Sequence, residues 1–566
     1  ATTDVLNALA FKPAVLSMLW DWFMCVSQPG KASVNEEDSL LTMFSLVYHH
    51  LLMTVDNAEF YEKEFPFALD QVRTMVGRLK GSVYTLYWDP PSSVVGKRLR
   101  ASGTALLNRL FERNCFKEFV PPEAWQASDR HVNAVMSELD SWSAARLDPN
   151  QDTEADGMDP KHALVLRHVP FALPFPMRVR ILRHQILRDK AKLMDVPMNW
   201  VPTRVQRSRV VEDGYLGLNA LGPDLKRTIQ ISFVNQEGLM EAGIDGGGLF
   251  KEFINTLSGQ AFNPHYGLFR STPDKLLFPN PQAETAHPWQ GTMDHLKLME
   301  FLGRMVGKAI YDGILIELRL APFFLRKILG KEMYFDDLKS LDPDLYKNLM
   351  FVKNYTGDFE DLSLNFEVVE DNFGEHRGAE LIPNGRQVPV TANNVLRYKN
   401  LVADYWLNRR IQQQSQAFMR GLSDLMEGEW LRMFSPDELQ MIISGSVQPI
   451  DIQDLRRNCV YGGTYTEDHE SVQLFWKVVE GFDPKQREDL LLFVTSCSRP
   501  PLLGFKELFP AFCIQKTAHP PEEVNSRLPT ASTCMNLLKL PAYTSESDCR
   551  DRILYAISAG AGFELS

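Results

Sequence analysis

The chain has 566 residues, with 60 lysines and arginines against 72 aspartates and glutamates and a net charge of −12. At about 150 residues per domain this length allows three or four domains, and it buries enough core to do without disulfide staples. With 44% hydrophobic and 23% charged residues it reads as an ordinary globular protein, and the acidic balance argues against a chain built to coat nucleic acid or an anionic membrane.

Taken in chain order, residues 1–200 read as a helical extension. Leu16, Leu19, Trp20 and Phe23 share one helix face, and Leu99, Leu106, Leu107, Leu110 and Phe111 repeat the pattern. The longest apolar run, Leu40 to Met53, spans about 14 residues and includes His49 and His50, too short and too polar for a membrane span; no stable membrane insertion is expected. Glu123 to Trp142 is a third helical candidate, starting after Pro121-Pro122, a pair that ends any helix arriving from upstream. No fixed-period repeat is visible. Asp148 to Asp159 holds Asp148, Asp152, Glu154, Asp156 and Asp159 with no base, and reads as a solvated linker. Arg178 to Lys192 is basic and amphipathic, with Val179, Leu182, Ile186 and Leu193 on one face. A surface helix docked on the next domain is preferred to a membrane-surface helix.

Residues 201–444 are mixed α and β. Ile229 to Val234 reads as a strand, Leu249 to Gln260 as a helix, Val388 to Thr391 as a short extended piece and Leu396 to Leu425 as a long helical stretch. Gly445 and Ser446 then break the pattern and suit a hinge over 445–448. Residues 449–566 are long enough for a small α/β domain.

The chemistry is sparse. Seven cysteines (Cys25, Cys115, Cys459, Cys497, Cys513, Cys534 and Cys549) form no C-x-x-C pair, which favours a reducing compartment over a disulfide framework or thiolate zinc site. With no secretory signal visible, a cytoplasmic location is expected. The chain starts at Ala1, consistent with a piece of something longer. The Gly246-Gly-Gly248 run lacks the spacing of a phosphate-binding loop, the twelve histidines show no H-E-x-x-H, and no metal or cofactor is expected. The sharpest stretch is Arg527 to Pro541. Pro529 and Pro541 bracket it, Met535 to Leu540 reads as a strand, and Cys534 stands at the strand entrance after the small residues Thr530 to Thr533. Hydroxyls of Ser532 and Thr533 are placed to favour a thiolate. On pattern alone, Cys534 reads as a small buried sulfur more readily than as a nucleophile. The nearest upstream histidine is His519 and none follows, so a papain-like order is excluded.

The block Leu528-Pro-Thr-Ala-Ser-Thr-Cys534-Met-Asn-Leu-Leu-Lys-Leu-Pro541 resembles the catalytic-cysteine signature of HECT ubiquitin-protein ligases. Collinear matches support it: Glu241-Ala-Gly-Ile-Asp-Gly-Gly-Gly248 with Lys251-Glu-Phe253, Asn263-Pro-His-Tyr-Gly-Leu-Phe269, Phe301 to Tyr311, Tyr461-Gly-Gly463 and Gly504-Phe505. The resemblance runs from about Val205 to Ser566, and the wording is nearest the 3B/3C subgroup, 3B above 3C. It implies an α+β, bilobal HECT domain with a mainly helical N-lobe with small sheets (201–444), a hinge (445–448) and an α/β C-lobe (449–566) that carries the cysteine. It implies ubiquitin, a ubiquitin-conjugating enzyme and protein substrates as partners. It further implies Cys534 as the thioester-forming residue beside Thr533, a conjugating-enzyme groove including Leu362, Leu364 and Tyr398, and a tail role for Phe563. The sequence departs from the family's common pattern at Ser532, where many members have histidine, at Met535, where many have phenylalanine, and at Ser496, where glycine is usual. For the lysine-attack step, Glu522, Glu523 and Glu564 are candidate general bases. A binding scaffold with a degenerate C-lobe and a cysteine hydrolase are the competing readings.

Overall fold

The computed structural model describes residues 9, 12–28, 33–144, 158–193, 203–235, 239, 248–286, 293–372, 375–520 and 522–558. These divide into two units: Ala1–Lys192 with Tyr334–Asp336 and Glu429–Ser435, and the remainder. The Glu241 to Gly247 stretch, Phe563, Glu564 and residues 148–157 of the acidic linker lie outside the described residues.

The first unit is helical: α1 (Pro13–Val26), α2 (Val34–Leu52), α3 (Leu69–Trp88), α4 (Val94–Phe116), α5 (Asp129–Ala144), α6 (Pro160–His168) and α7 (Phe175–Ala191). The heptad-like apolar stripes explain it. Leu16, Leu19, Trp20 and Phe23 of α1 are all buried, as are Leu99, Leu106, Leu107 and Leu110 of α4. The helix expected over Glu123 to Trp142 is broken into a turn at Pro122–Trp125 and α5. Trp125 is buried, and the Ala127 amide donates to Ala172 O at 2.8 Å; that tertiary bond draws residues 126–128 out of helix. The amphipathic face of the basic helix is buried within this unit: α7 buries Val179, Ile181, Leu182 and Ile186. Its Arg178 is also buried, donating to Leu173 O at 3.0 Å and to Met433 O at 2.7 Å. Asp159 of the acidic stretch caps α6, accepting from Lys161 N at 2.8 Å.

In the second unit β1 (Thr203–Gln206) pairs in parallel with β2 (Ile231–Val234). Next come α8 (Gly248–Ala261), the hairpin β3 (Phe269–Ser271) and β4 (Leu277–Pro279), and α9 (His295–Asp312). The hairpin β5 (Glu367–Asn372) and β6 (Glu375–Glu380) precedes α10 (Val395–Leu407), α11 (Gln412–Leu425) and α12 (Pro436–Ser444). The long stretch over Leu396 to Leu425 is thus two helices. They part at Asn408, whose side chain bonds Asp404 at 2.9 Å and Lys327 at 2.9 Å. The extended piece at Val388 to Thr391 amounts to one bridge, Asn365 to Pro389. Helices α9 and α11 meet backbone to backbone: a Cβ on Gly303 would lie 2.0 Å from Phe418 O, and one on Gly421 1.8 Å from Glu300 O.

Beyond Gly445 the chain forms β7 (Val460–Gly462), α13 (Glu470–Glu480), α14 (Pro484–Thr495), β8 (Cys513–Lys516), β9 (Thr530–Ser532), β10 (Leu537–Leu540) and α15 (Glu546–Ser558). The sheet order is β7-β8-β10-β9, with β9 antiparallel to β10 and the other pairs parallel. Ile514, Leu538 and Leu540 alternate inward onto Phe475, Trp476 and Ile553, a core drawn wholly from residues after Pro449. The α+β class stands. Among the described residues, no helix is long and apolar enough to cross a membrane.

Candidate active site

The cysteine sits on a tight reversal between two paired strands. Ser532 of β9 stands opposite Leu537 of β10, and Thr530 opposite Lys539. Between them Thr533–Met535 makes one 3₁₀ turn. Asn536 closes the turn at φ 48°, a left-handed conformation in which asparagine is enriched. Asn536 is wholly buried. Its backbone N–H donates to Thr533 O at 3.3 Å, its carbonyl accepts from Cys513 N at 2.9 Å, and its side-chain amide donates to Pro510 O. The strand expected from Met535 therefore starts at Leu537.

Cys534 is partly exposed. Burial and the carboxylate of Glu252 push its thiol pKa up; the backbone amides of Cys534 and Met535 and the ammonium of Lys251 pull the other way, and burial dominates. The donors at the sulfur are thus main-chain amides, where the sequence had suggested the hydroxyls of Ser532 and Thr533. Three other thiols are less available: Cys459, Cys497 and Cys549 are pushed by burial to about 12.

Helix α8 supplies the charged neighbours. Lys251 is 7% exposed, and its Nζ donates to Asn536 Oδ1. Burial lowers its pKa to about 8, against the opposing pull of Cys497 and Cys534. Glu252 accepts from Arg207 Nη1 at 2.6 Å. Neither residue was assigned a role from sequence, although Lys251-Glu-Phe253 was among the resembling motifs. Of the expected bases, Glu523 is hydrogen-bonded to Arg527.

At the expected hinge, Gly445 has φ +90°, and a Cβ there would lie 2.8 Å from Pro500 O. The Ser446 amide donates to that same oxygen at 2.8 Å, and the Ser446 hydroxyl accepts from Gln448 N at 3.1 Å. Nearby, Ser498 donates through its amide and hydroxyl to the Glu317 carboxylate at 3.0 Å.

The three groove residues do not behave alike. Leu364 lines an open cavity of about 750 Å³ with Phe359, Asn365, Arg386 and Val390. Leu362 is half-buried on the adjoining 3₁₀ turn Phe359–Leu362. Tyr398 is buried and packs in the interior. Among the described residues no group of three or more His, Cys, Asp or Glu could hold a metal ion.

Residues 255–566 match the model of the HECT-domain (ubiquitin-transferase) family. Over 99% of its length the chain is 38% identical to E3 ubiquitin-protein ligase UPL6 of Arabidopsis thaliana, covering 56% of that protein. It is 35% identical over its full length to Ubiquitin-protein ligase E3B of Mus musculus, covering 55% of it. Against E3 ubiquitin-protein ligase HUL5 of Saccharomyces cerevisiae, identity is 32% over 99% of the chain and 66% of the relative. The chain thus spans about half the length of the first two of these relatives.

Proposed function

This chain belongs to the HECT ubiquitin-transferase family, and from that we propose that it is a ubiquitin-protein ligase. Cys534 accepts ubiquitin as a thioester from a conjugating enzyme and passes it to a substrate lysine. The observation that carries this reading is a partly exposed sulfur on the turn between two paired strands.

In the first step Cys534 attacks the conjugating enzyme's thioester. One C–S bond replaces another, so the step is near neutral in energy and depends on positioning. The amides of Cys534 and Met535 stabilise negative charge on sulfur when the thiolate attacks and again when it leaves. Thr533 borders the carbonyl. In the second step a neutral lysine amine attacks the thioester; a C–N bond forms, the C–S bond breaks, and the amine's proton goes to a base. The carboxylate of Glu252 is the charged group at the sulfur that suits an incoming ammonium. We assign 201–444 and 449–566 to the two lobes and 445–448 to the hinge, whose glycine gives the cysteine freedom to meet two partners. The cavity at Leu364, with Leu362 beside it, is the docking face for the conjugating enzyme, with Tyr398 supporting it from behind. Phe563 serves the transfer step from the tail.

The test is a gel with and without reductant. The full chain mixed with ubiquitin-loaded conjugating enzyme should form a reducible ubiquitin adduct that Cys534→Ala abolishes; an adduct of normal yield in the variant refutes the assignment.

A further inference from the structure

Helix α8 reaches the cysteine turn with a side chain that the chemistry above leaves unused. Lys251 is buried, and its amine is spent on the side-chain oxygen of a wholly buried asparagine, Asn536. Among the described residues no carboxylate is ion-paired with Lys251, so an ammonium withdrawn from water onto a neutral amide is poorly compensated there. Burial accordingly lowers the Lys251 pKa to about 8. The contact joins residues 285 positions apart, so it is no by-product of local chain geometry. What it secures is the residue that closes the reversal carrying Cys534.

We propose that Lys251 is a positioning residue: it clasps the cysteine turn to helix α8 through Asn536, and the clasped turn restricts access to the Cys534 sulfur. Asn536 transmits the hold because its other side-chain group is fixed to Pro510 O and its carbonyl to Cys513 N. The turn therefore moves with its asparagine. Opening the clasp returns Lys251 to water, where its charge is no longer penalised, and exposes the sulfur to a large carbonyl partner. The inference rests on the proposed transfer reaction only in taking Cys534 as the reactive sulfur.

Two influences of Lys251 on that sulfur have opposite signs, and this makes the idea testable. As a nearby positive charge, Lys251 favours the thiolate; as a clasp, it keeps the turn buried, which disfavours both the thiolate and approach. With the Lys251–Asn536 contact holding the turn, loss of the hold outweighs loss of one charge, and removing the lysine should speed the reaction of Cys534.

The experiment uses the full chain with neither ubiquitin nor conjugating enzyme. Iodoacetamide is added at neutral pH and the Cys534 peptide is followed by mass spectrometry. Lys251→Met should raise the alkylation rate at Cys534 about fivefold, with Cys25 and Cys115 unchanged, and Lys251→Arg should stay within about twofold of the parent. A slower rate in Lys251→Met would mean that only the charge matters and would overturn the clasp, as would an unchanged rate with an unchanged melting curve. If Lys251→Met lowers the melting temperature, the unmodified sequence decides. Capping Cys534 with a bulky maleimide should then raise acetylation of Lys251 by an N-hydroxysuccinimide ester severalfold, and equal acetylation before and after capping overturns the proposal. No ubiquitin transfer is measured, so either failure leaves the ligase reading intact.

Discussion

The ring of Tyr398 stands edge-on to that of Phe366, with centroids 5.5 Å apart and planes at 80°. That contact makes Tyr398 an interior residue, while Leu364 faces the open cavity. The two should fail differently. Tyr398→Ala removes a buried ring and should cost about 3 kcal/mol of stability, read as a lower denaturation midpoint. Leu364→Asp should leave the midpoint nearly unchanged, yet raise the concentration of loaded conjugating enzyme needed for half-maximal adduct formation about tenfold. Equal stability losses in both variants would argue against Leu364 as a docking residue.

Gly445 and Ser446 offer a second contrast. Gly445→Ala places a methyl at positive φ and 2.8 Å from Pro500 O, at a cost of about 1–3 kcal/mol. Ser446→Ala loses one exposed acceptor, the bond from Gln448 N, and should cost well under about 1 kcal/mol. Urea unfolding of the two variants checks the order; a milder effect at Gly445 would mean that the linker relaxes freely.

Lys251 sets a pH dependence. Folding lowers its pKa from the usual 10.5 to about 8. Between those values the unfolded chain binds the extra proton, so stability rises with pH across the window. The penalty is complete below about 8 and gone above 10.5, and amounts to at most about 3 kcal/mol. Relative to Lys251→Met, the parent chain should therefore gain stability between pH 7.5 and 9.5 in paired urea titrations. A difference that stays flat or moves the other way contradicts the burial of this amine.

In the helical unit, Arg113 and Asp336 form a buried ion pair at 3.1 Å, and Asp336 also accepts from the Asn57 amide at 3.1 Å. Asp336→Ala leaves the guanidinium buried without this carboxylate and should cost about 3–5 kcal/mol. Asp336→Asn keeps an acceptor for Asn57 and should cost less. Calorimetry on the full chain checks both; a neutral Asp336→Ala would show that water reaches Arg113.

The sequence made legible whatever depends on near neighbours. The stripe Leu16, Leu19, Trp20 and Phe23 yielded a helix because its period is local, and the apolar run after Cys534 marked a strand, which the structure starts at Leu537. Three things were hidden, each by a tertiary partner. Residues 126–128 leave helix for a bond to Ala172. Leu396 to Leu425 breaks where Asn408 finds Asp404 and Lys327. Lys251 meets Asn536 only once the chain has folded back over 285 positions. The resemblance groups Leu362, Leu364 and Tyr398 as groove residues, and only the fold shows that Tyr398 is buried while Leu364 lines a cavity.

The helical unit is stitched from three separate stretches of chain, since Tyr334–Asp336 and Glu429–Ser435 belong to it. Anyone trimming this polypeptide for expression meets the result at once. A piece ending at residue 192 keeps Arg178 but loses the Met433 carbonyl it donates to, and keeps Phe175 but loses Phe434, which packs at 6.0 Å. A piece beginning at residue 201 carries Phe434 away from Phe175 and Arg178. Both products should be prone to aggregate, and reconstitution work is best served by leaving the two ends of this stitching on one molecule.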